Sequence, residues 1–219
     1  METALREHAT PVRARRRQRL ALEAGPVECV YVVRSGLLGI EASPPGKHRQ
    51  LLTLFYPGDI IRRSLMPDLP SLTLTALNVA EVWRFPARSF DVLLATSPEH
   101  AAQARARLAE QHARALLHTS IVGALNGDER FASLLVELGL RLGKDGPQGR
   151  AFELPLSRTD IADYLALNPD TLSRIATRLK ARGLLQNART GHTILPAWDA
   201  LCSATPLGSA LQSLHTPRA

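Results

Sequence analysis

Between Leu20 and Phe90 the apolar residues come in short runs cut by turn-forming residues. Val30-Tyr31-Val32-Val33, Leu37-Leu38-Gly39-Ile40-Glu41 and Arg49 to Phe55 read as strands, followed by Ser71 to Ala76 and Ala80 to Phe85. Arg34-Ser35-Gly36, Ser43-Pro44-Pro45-Gly46 and Tyr56-Pro57-Gly58-Asp59 supply the breaks. Short strands at near-regular spacing predict a closed or sandwiched β-domain. Ser89 to Ala95 is predicted helical. Residues 1–19 show no such pattern and are expected to form a basic arm, so the β-domain is expected over residues 20–97.

The period then changes. From Pro98 to Leu125 the pattern is that of one long helix. Ala101, Ala104, Leu108, Gln111, Ala115, His118, Val122 and Leu125 recur at alternating steps of three and four. That is a heptad seam, with Gln111 and His118 as polar members that could fix register. Two readings stand: a helix packed on its own domain, or the seam of a homodimer. If two His118 side chains faced each other across a seam, protonation would weaken the dimer.

Asn126-Gly127 breaks this helix. Asp128 starts another, with Phe131, Leu134, Leu135, Leu138 and Leu142 on its apolar face. Lys144 to Arg150 is expected to be a loop, and Phe152-Glu153-Leu154 a short strand. Ser157 to Arg182 then reads as two helices joined by the turn Ala166-Leu167-Asn168. Ser157 with Asp160 makes a capping box, Asn168 is a good N-cap, and Pro169 suits the first helical position. The second helix buries Leu172, Ile175, Ala176 and Leu179 on one face. Gly183 to Gln186 and His192 to Leu195 flank a turn at residues 187–191, as in a β-hairpin wing. A short helix and a tail follow Ala197.

The second helix of the pair presents Asp170, Thr171, Ser173, Arg174 and Arg178 on its other face. Arg174 lies about one and a half turns in. An arginine there can reach guanine O6 and N7 if the helix start enters a major groove, and an aspartate can accept from cytosine N4. Asp170, Ser173 and Arg174 are therefore the expected base-reading residues. Arg158, Thr159, Thr171, Arg178, Lys180, Arg189, Thr190 and His192 are the expected backbone contacts. A solvated polar face is the alternative.

Charge sharpens this picture. The 219 residues carry a net charge of +7. Arg174 to Arg189 hold five basic residues and no acid, as phosphate neutralisation requires. A merely solubilising surface is the competing reading. The basic residues near the start, Arg13, Arg15, Arg16, Arg17 and Arg19, could touch DNA or acidic partners, or form a solvated arm. Cys29 and Cys202 lie far apart without metal-ligand spacing, so a reducing cytoplasm is expected. Cys29 is expected to be a buried thiol. No apolar run reaches the ~20 residues of a membrane span, and no secretory signal follows the first arginines.

Leu156-Ser157-Arg158, Asp160-Ile161-Ala162, Tyr164-Leu165, Asp170-Thr171-Leu172-Ser173-Arg174 and Leu179 resemble the helix-turn-helix of the CRP/FNR superfamily of bacterial transcription regulators. The FNR branch carries Glu-x-x-Ser-Arg on its recognition helix, and Asp170 stands here in place of the glutamate. Pro169 occupies the position of the CRP branch's additional base-reading arginine. Val33-x-x-Gly36 and Pro57-Gly58-Asp59 resemble recurrent turns of the family's sensor domain.

The resemblance implies an α+β chain: an N-terminal double-stranded β-helix (jelly-roll-like) sensor domain, a long dimerisation helix over 98–125, and a C-terminal winged helix-turn-helix domain over 126–219. It also implies a parallel homodimer on a palindromic, FNR-like DNA site, and leaves RNA polymerase as a candidate partner. The family's cyclic-nucleotide binders follow Pro-Gly-Asp with Gly-Glu and a later Arg-Ser/Thr. Here Ile60 to Ser71 contains no Gly-Glu, and Pro70 precedes Ser71, so ordinary cyclic-AMP binding is not expected. Arg62 and Arg63 could bind another anion or be plain loop arginines. Two cysteines cannot hold the branch's iron–sulfur cluster. No cofactor is therefore expected, although the seven histidines leave haem ligation open. No catalytic motif is found, which leaves a DNA-binding regulator, or a ligand-binding or interaction module whose winged helix does not read DNA.

Overall fold

The computed structural model describes residues 9–43, 45, 48–69, 71–187 and 192–216. The chain divides into two compact units, residues 1–112 and 113–219.

The first unit is a roll of two antiparallel sheets. One contains β1 (Thr10–Ala14), β9 (Ala80–Pro86), β4 (Val27–Ser35) and β3 (Glu23–Ala24) in that order, with β7 (Ile60–Arg62) also paired to β4. The other runs β2 (Arg19–Leu20), β8 (Thr73–Ala76), β5 (Leu38–Ala42), β6 (Gln50–Phe55). Successive side chains on a strand point to opposite faces. Tyr31 and Val33 accordingly join Leu38, Ile40, Phe55, Leu74 and Val82 between the sheets. Val30 and Val32 face the other way, against Trp83, Phe85, Phe90 and Leu93. Both faces of β4 are covered, which is why its sequence is apolar without alternation.

Phe90 and Leu93 belong to α1 (Ala87–Thr96). Phe85 meets Phe90 edge-on at 5.4 Å. The Pro57-Gly58 turn is held by Asp59, whose backbone N–H donates to Tyr56 O at 3.0 Å while its carboxylate accepts from Tyr56 N at 2.8 Å. Gly58 sits at φ +90°, the left-handed region glycine enters freely.

Within the expected arm of residues 1–19, residues 10–14 and Arg19 lie in strands of the roll. Thr10 to Ala14 pair with Ala80 to Arg84 at the edge of the first sheet, and Arg19-Leu20 pair with Leu74-Thr75. Val12 and Ala14 point inward while Pro11 and Arg13 point out. An edge strand tolerates proline and charge on its free side, and those residues hid the alternation.

The helix α2 (Pro98–Ala124) starts in the first unit and ends in the second. Ala104 joins the core under Trp83 and Phe85, with Leu108 packed against it. The carboxamide of Gln111 makes two bonds to one backbone residue of β7. Ile60 N donates to Oε1 at 2.9 Å, and Nε2 donates to Ile60 O at 2.8 Å.

The second unit is built on α3 (Gly127–Leu142), whose residues 131–139 are all buried. Asn126 does more than break the preceding helix. Its side chain caps α3, with Glu129 completing the capping box. Around α3 stand α4 (Arg158–Leu165), α5 (Pro169–Ala181), α6 (Trp198–Ser203) and α7 (Gly208–His215). A four-stranded antiparallel sheet runs β10 (Lys144–Gly146), β11 (Gly149–Glu153), β13 (His192–Leu195), β12 (Gln186–Asn187). Residues 144–150, expected as a loop, hold the hairpin between β10 and β11; Gly149 turns it at φ +106°.

Candidate nucleic-acid interface

The pair α4–α5 is set by its caps. Ser157 Oγ accepts from Asp160 N at 3.1 Å, and Asp160 Oδ2 accepts from Ser157 N at 2.9 Å. Ala166 closes α4 at φ +51°, turning the chain. Asn168 Oδ1 then accepts from Asp170 N at 2.8 Å, and Pro169 occupies the first helical position. Leu172, Ile175 and Leu179 are buried beneath α5. The expected caps, turn and apolar face coincide with these positions.

This packing turns Asp170, Thr171, Ser173, Arg174, Arg178 and Lys180 to solvent. Ser173 Oγ donates to Pro169 O at 3.0 Å, which leaves its oxygen free to accept. The side chains of Asp170, Arg174 and Lys180 are exposed and make no hydrogen bond or ion pair with the described residues. Arg158 and Thr159 are exposed in the first turn of α4, and His192 at the start of β13. Arg189 and Thr190 lie outside the described residues.

Arg178 differs from its neighbours. Its guanidinium forks onto Asp128 in the first turn of α3, with Nε donating to Oδ2 at 3.0 Å and Nη2 donating to Oδ1. The hydrogen bond from Arg178 holds the Asp128 carboxyl below its usual range.

Most of the expected seam residues on α2 are covered within the chain itself. Ala104 is only 2% exposed and Leu108 packs beside it, while Gln111 is bound to Ile60. His118 lies within the second unit, stacked on the Tyr164 ring, and Leu125 is buried. Ala101 and Val122 are half-buried, and of the eight expected seam residues only Ala115 is exposed. The helix thus turns most of the predicted stripe onto its own chain, and His118 is already stacked on Tyr164 there. The open face lies about one residue further round. It carries Ala102, Ala106, Ala109, Leu116, Ser120 and Gly123, with Ala113 half-buried among them. Leu116 is 57% exposed, and beside Gly123 there is open space.

In the roll, Arg62 Nε donates to Glu28 Oε2 at 3.0 Å, and its two terminal nitrogens reach Asp91 at 2.6 and 3.0 Å. Arg63 pairs with Asp68 at 2.6 Å and donates to Met66 O and Pro67 O. Both arginines are held by internal partners. An open groove of about 430 Å³ runs past Arg19, Leu20, Leu22, Glu23, Arg63 and Leu72. Cys29 is buried. Among the described residues no group of three His, Cys, Asp or Glu side chains could hold a metal ion, and no helix is long and apolar enough to cross a membrane.

A β-roll, a long helix and a winged helix-turn-helix, in that order, define a two-part regulator architecture. Residues 11–97 match the cyclic nucleotide-binding domain family and residues 129–204 the Crp-like helix-turn-helix domain family. The chain belongs to the CRP/FNR superfamily of transcription regulators. It is 28% identical over 158 residues to the transcriptional activator protein FnrA of Stutzerimonas stutzeri, covering 72% of this chain and 65% of that one. It is 45% identical over 94 residues to the nitrogen fixation regulation protein FixK of Rhizobium meliloti, covering 42% of this chain and 43% of FixK. The structure of FixK2 from Bradyrhizobium japonicum superposes with a TM-score of 0.75 at 27% identity, over 90% of this chain and 97% of that one. The chain thus spans less than two thirds of the length of FnrA and of FixK that it matches. FnrA is named as a transcriptional activator and FixK as a regulation protein of nitrogen fixation.

Proposed function

We propose that this chain is a sequence-specific DNA-binding transcription regulator that acts as a homodimer on a two-fold symmetric, FNR-like site. The carrying observation is the start of α5. A capped, proline-led helix presents Asp170, Ser173 and Arg174 outward, with the guanidinium of Arg174 unengaged. In a major groove Arg174 reads guanine, and Asp170 and Ser173 contact its neighbours. Arg158, Thr159, Thr171, Lys180 and His192, with Arg189 and Thr190 outside the described residues, are the proposed phosphate contacts around it.

A two-fold site needs two copies of the chain. The supporting surface is the open stripe of small residues on α2, Ala102 to Gly123, where two helices can approach closely. FnrA is named a transcriptional activator, which makes RNA polymerase the candidate protein partner. A cytoplasmic location follows from that role. Ordinary cyclic-AMP binding is not part of this reading: the Gly-Glu pair is missing, and Arg62 and Arg63 are occupied by carboxylates.

Selection of the purified protein on a randomised duplex pool tests the proposal. The expected result is an enriched palindrome with half-sites about 34–36 Å apart. Arg174→Ala should then cost ~1–3 kcal/mol and relax one base pair in each half-site. Salt-sensitive binding without an enriched sequence would sink the reading.

A further inference from the structure

The first four residues of α3 are committed to neighbouring elements of the second unit. Gly127 packs closely on α5: a Cβ there would lie 2.8 Å from Ile175 Cδ1, which would have to shift. Asp128 holds Arg178 of α5 by a two-pronged ion pair. Glu129 closes the cap with Asn126. Arg130 Nε donates to Leu125 O at 2.8 Å, and its Nη1 donates to Leu165 O at 3.1 Å, tying the end of α4 to the same corner.

Arg178 and Arg174 are one helical turn apart on α5, yet they are in opposite situations. Arg174 has no partner among the described residues. Arg178 has its fork matched by a planar carboxylate, the arrangement that gives an arginine most directional hold. The helix dipoles support the pair, with the acid in the first turn of α3 and the base in the last turn of α5. The pair is partly exposed, 54% for the Arg178 side chain and 33% for Asp128, so its contribution lies in orientation and local charge more than in stability.

We infer that Arg178 is a positioning residue, pinned by Asp128 to fix the angle of the recognition helix on α3, and not a phosphate contact. The inference rests on the DNA-reading role proposed for α5 and revises which of its basic residues meet the backbone. The positive charge of α5 is graded: free at Arg174 and Lys180, neutralised at Arg178. Asp128 thereby lowers the attraction for any phosphate backbone while it holds the base-reading end in place.

Salt dependence of binding to the selected palindrome separates the two roles, because each phosphate contact adds about 0.9 to the log–log slope. In a dimer, Lys180→Ala should flatten the slope by about 2. Arg178→Ala should leave the slope unchanged and lower the preference for palindrome over random duplex by about fivefold to tenfold. Asp128→Asn should lower the same preference and steepen the slope, since it releases Arg178. A slope flattened by Arg178→Ala as much as by Lys180→Ala, with the preference intact, would overturn the inference. A DNA-free measurement keeps the test independent of the regulator reading. Denaturant midpoints of Asp128→Ala, Arg178→Ala and the double variant should show coupling, the double losing less than the two singles together. Strictly additive losses would remove the pair, whether or not the chain binds DNA.

Discussion

The imidazole of His118 lies nearly parallel to the phenol ring of Tyr164, with centroids 3.8 Å apart and planes inclined by 11°. The contact joins the last third of α2 to α4, the first helix of the helix-turn-helix. Burial pushes the His118 imidazole down to about 4 and raises the Tyr164 phenol well above its usual value, with Glu137 adding to the latter. His215 on α7, facing Arg141 and Arg114, is pushed down by burial to about 3. Both histidines are therefore neutral in the folded unit at neutral pH.

An acid-labile second unit follows. The unfolded chain takes up protons near pH 6.5, which the folded unit refuses until about pH 4. Stability is thus complete above that range and is lost as pH falls from about 6.5 toward 4. His118 alone accounts for a loss on the order of 2–3 kcal/mol. His118→Phe, which keeps a ring on Tyr164, should lose less stability between pH 7 and pH 5 than the parent in thermal melts. Equal losses would show that the imidazole is not excluded from protonation.

The open stripe on α2 can be tested by crowding it. A side chain at Gly123 meets nothing within 4 Å in the single chain, so Gly123→Leu should fold as well as the parent. If two helices meet there, it should weaken the dimer by tenfold or more, an overpacking cost of about 1–3 kcal/mol. Sedimentation against concentration reads the change. An unaltered dimer constant would place the partner elsewhere.

Arg62 is read as a structural tie between β4 and α1. Arg62→Ala leaves Glu28 without its guanidinium and releases Asp91, and should destabilise the first unit by about 1–2 kcal/mol in urea unfolding. A variant of parental stability would return Arg62 to the pool of available anion ligands.

Ala166 holds a left-handed conformation between α4 and α5. The Cβ costs roughly 1–2 kcal/mol there, and glycine gives back part of that gain as unfolded-state entropy. Ala166→Gly should therefore raise stability by about 0.5–1 kcal/mol with no change in the selected site. A destabilised variant would show that the Ala166 methyl makes a contact worth more than the strain.

The helix-turn-helix was legible in the sequence because local rules decide it. Ser157 with Asp160, Asn168 with Pro169, and the spacing of Leu172, Ile175 and Leu179 each act within a few residues, and all agree. The strand Val30–Val33 was legible for a related reason: an unbroken apolar run needs cover on both faces. Where the reading failed, the decision was tertiary. The long helix carries two stripes at the same heptad spacing, one through Ala104 and Leu108, the other through Ala106 and Ala109. Spacing cannot rank them. Leu108, Val122 and Leu125 made the first look like a seam, yet larger side chains go where the chain's own core receives them. Small residues and Leu116 remain outside. Gln111 and His118 looked like register-setting polar positions; their partners, Ile60 and Tyr164, are far away in sequence. The ion pair of Arg178 was likewise invisible, since Asp128 lies 50 residues earlier. Asn126 with Glu129 was a local signal in plain view, masked by the glycine between them.

Gln111 stands beside β7 as a neighbouring strand would. Its carboxamide offers Ile60 one acceptor and one donor, the complement of a peptide group, and among the described residues β7 has no second strand on that side. A turn of the helix by one residue would sweep this amide through about 100° and part both bonds together. The two bonds together therefore mark a single rotational setting of the helix against Ile60.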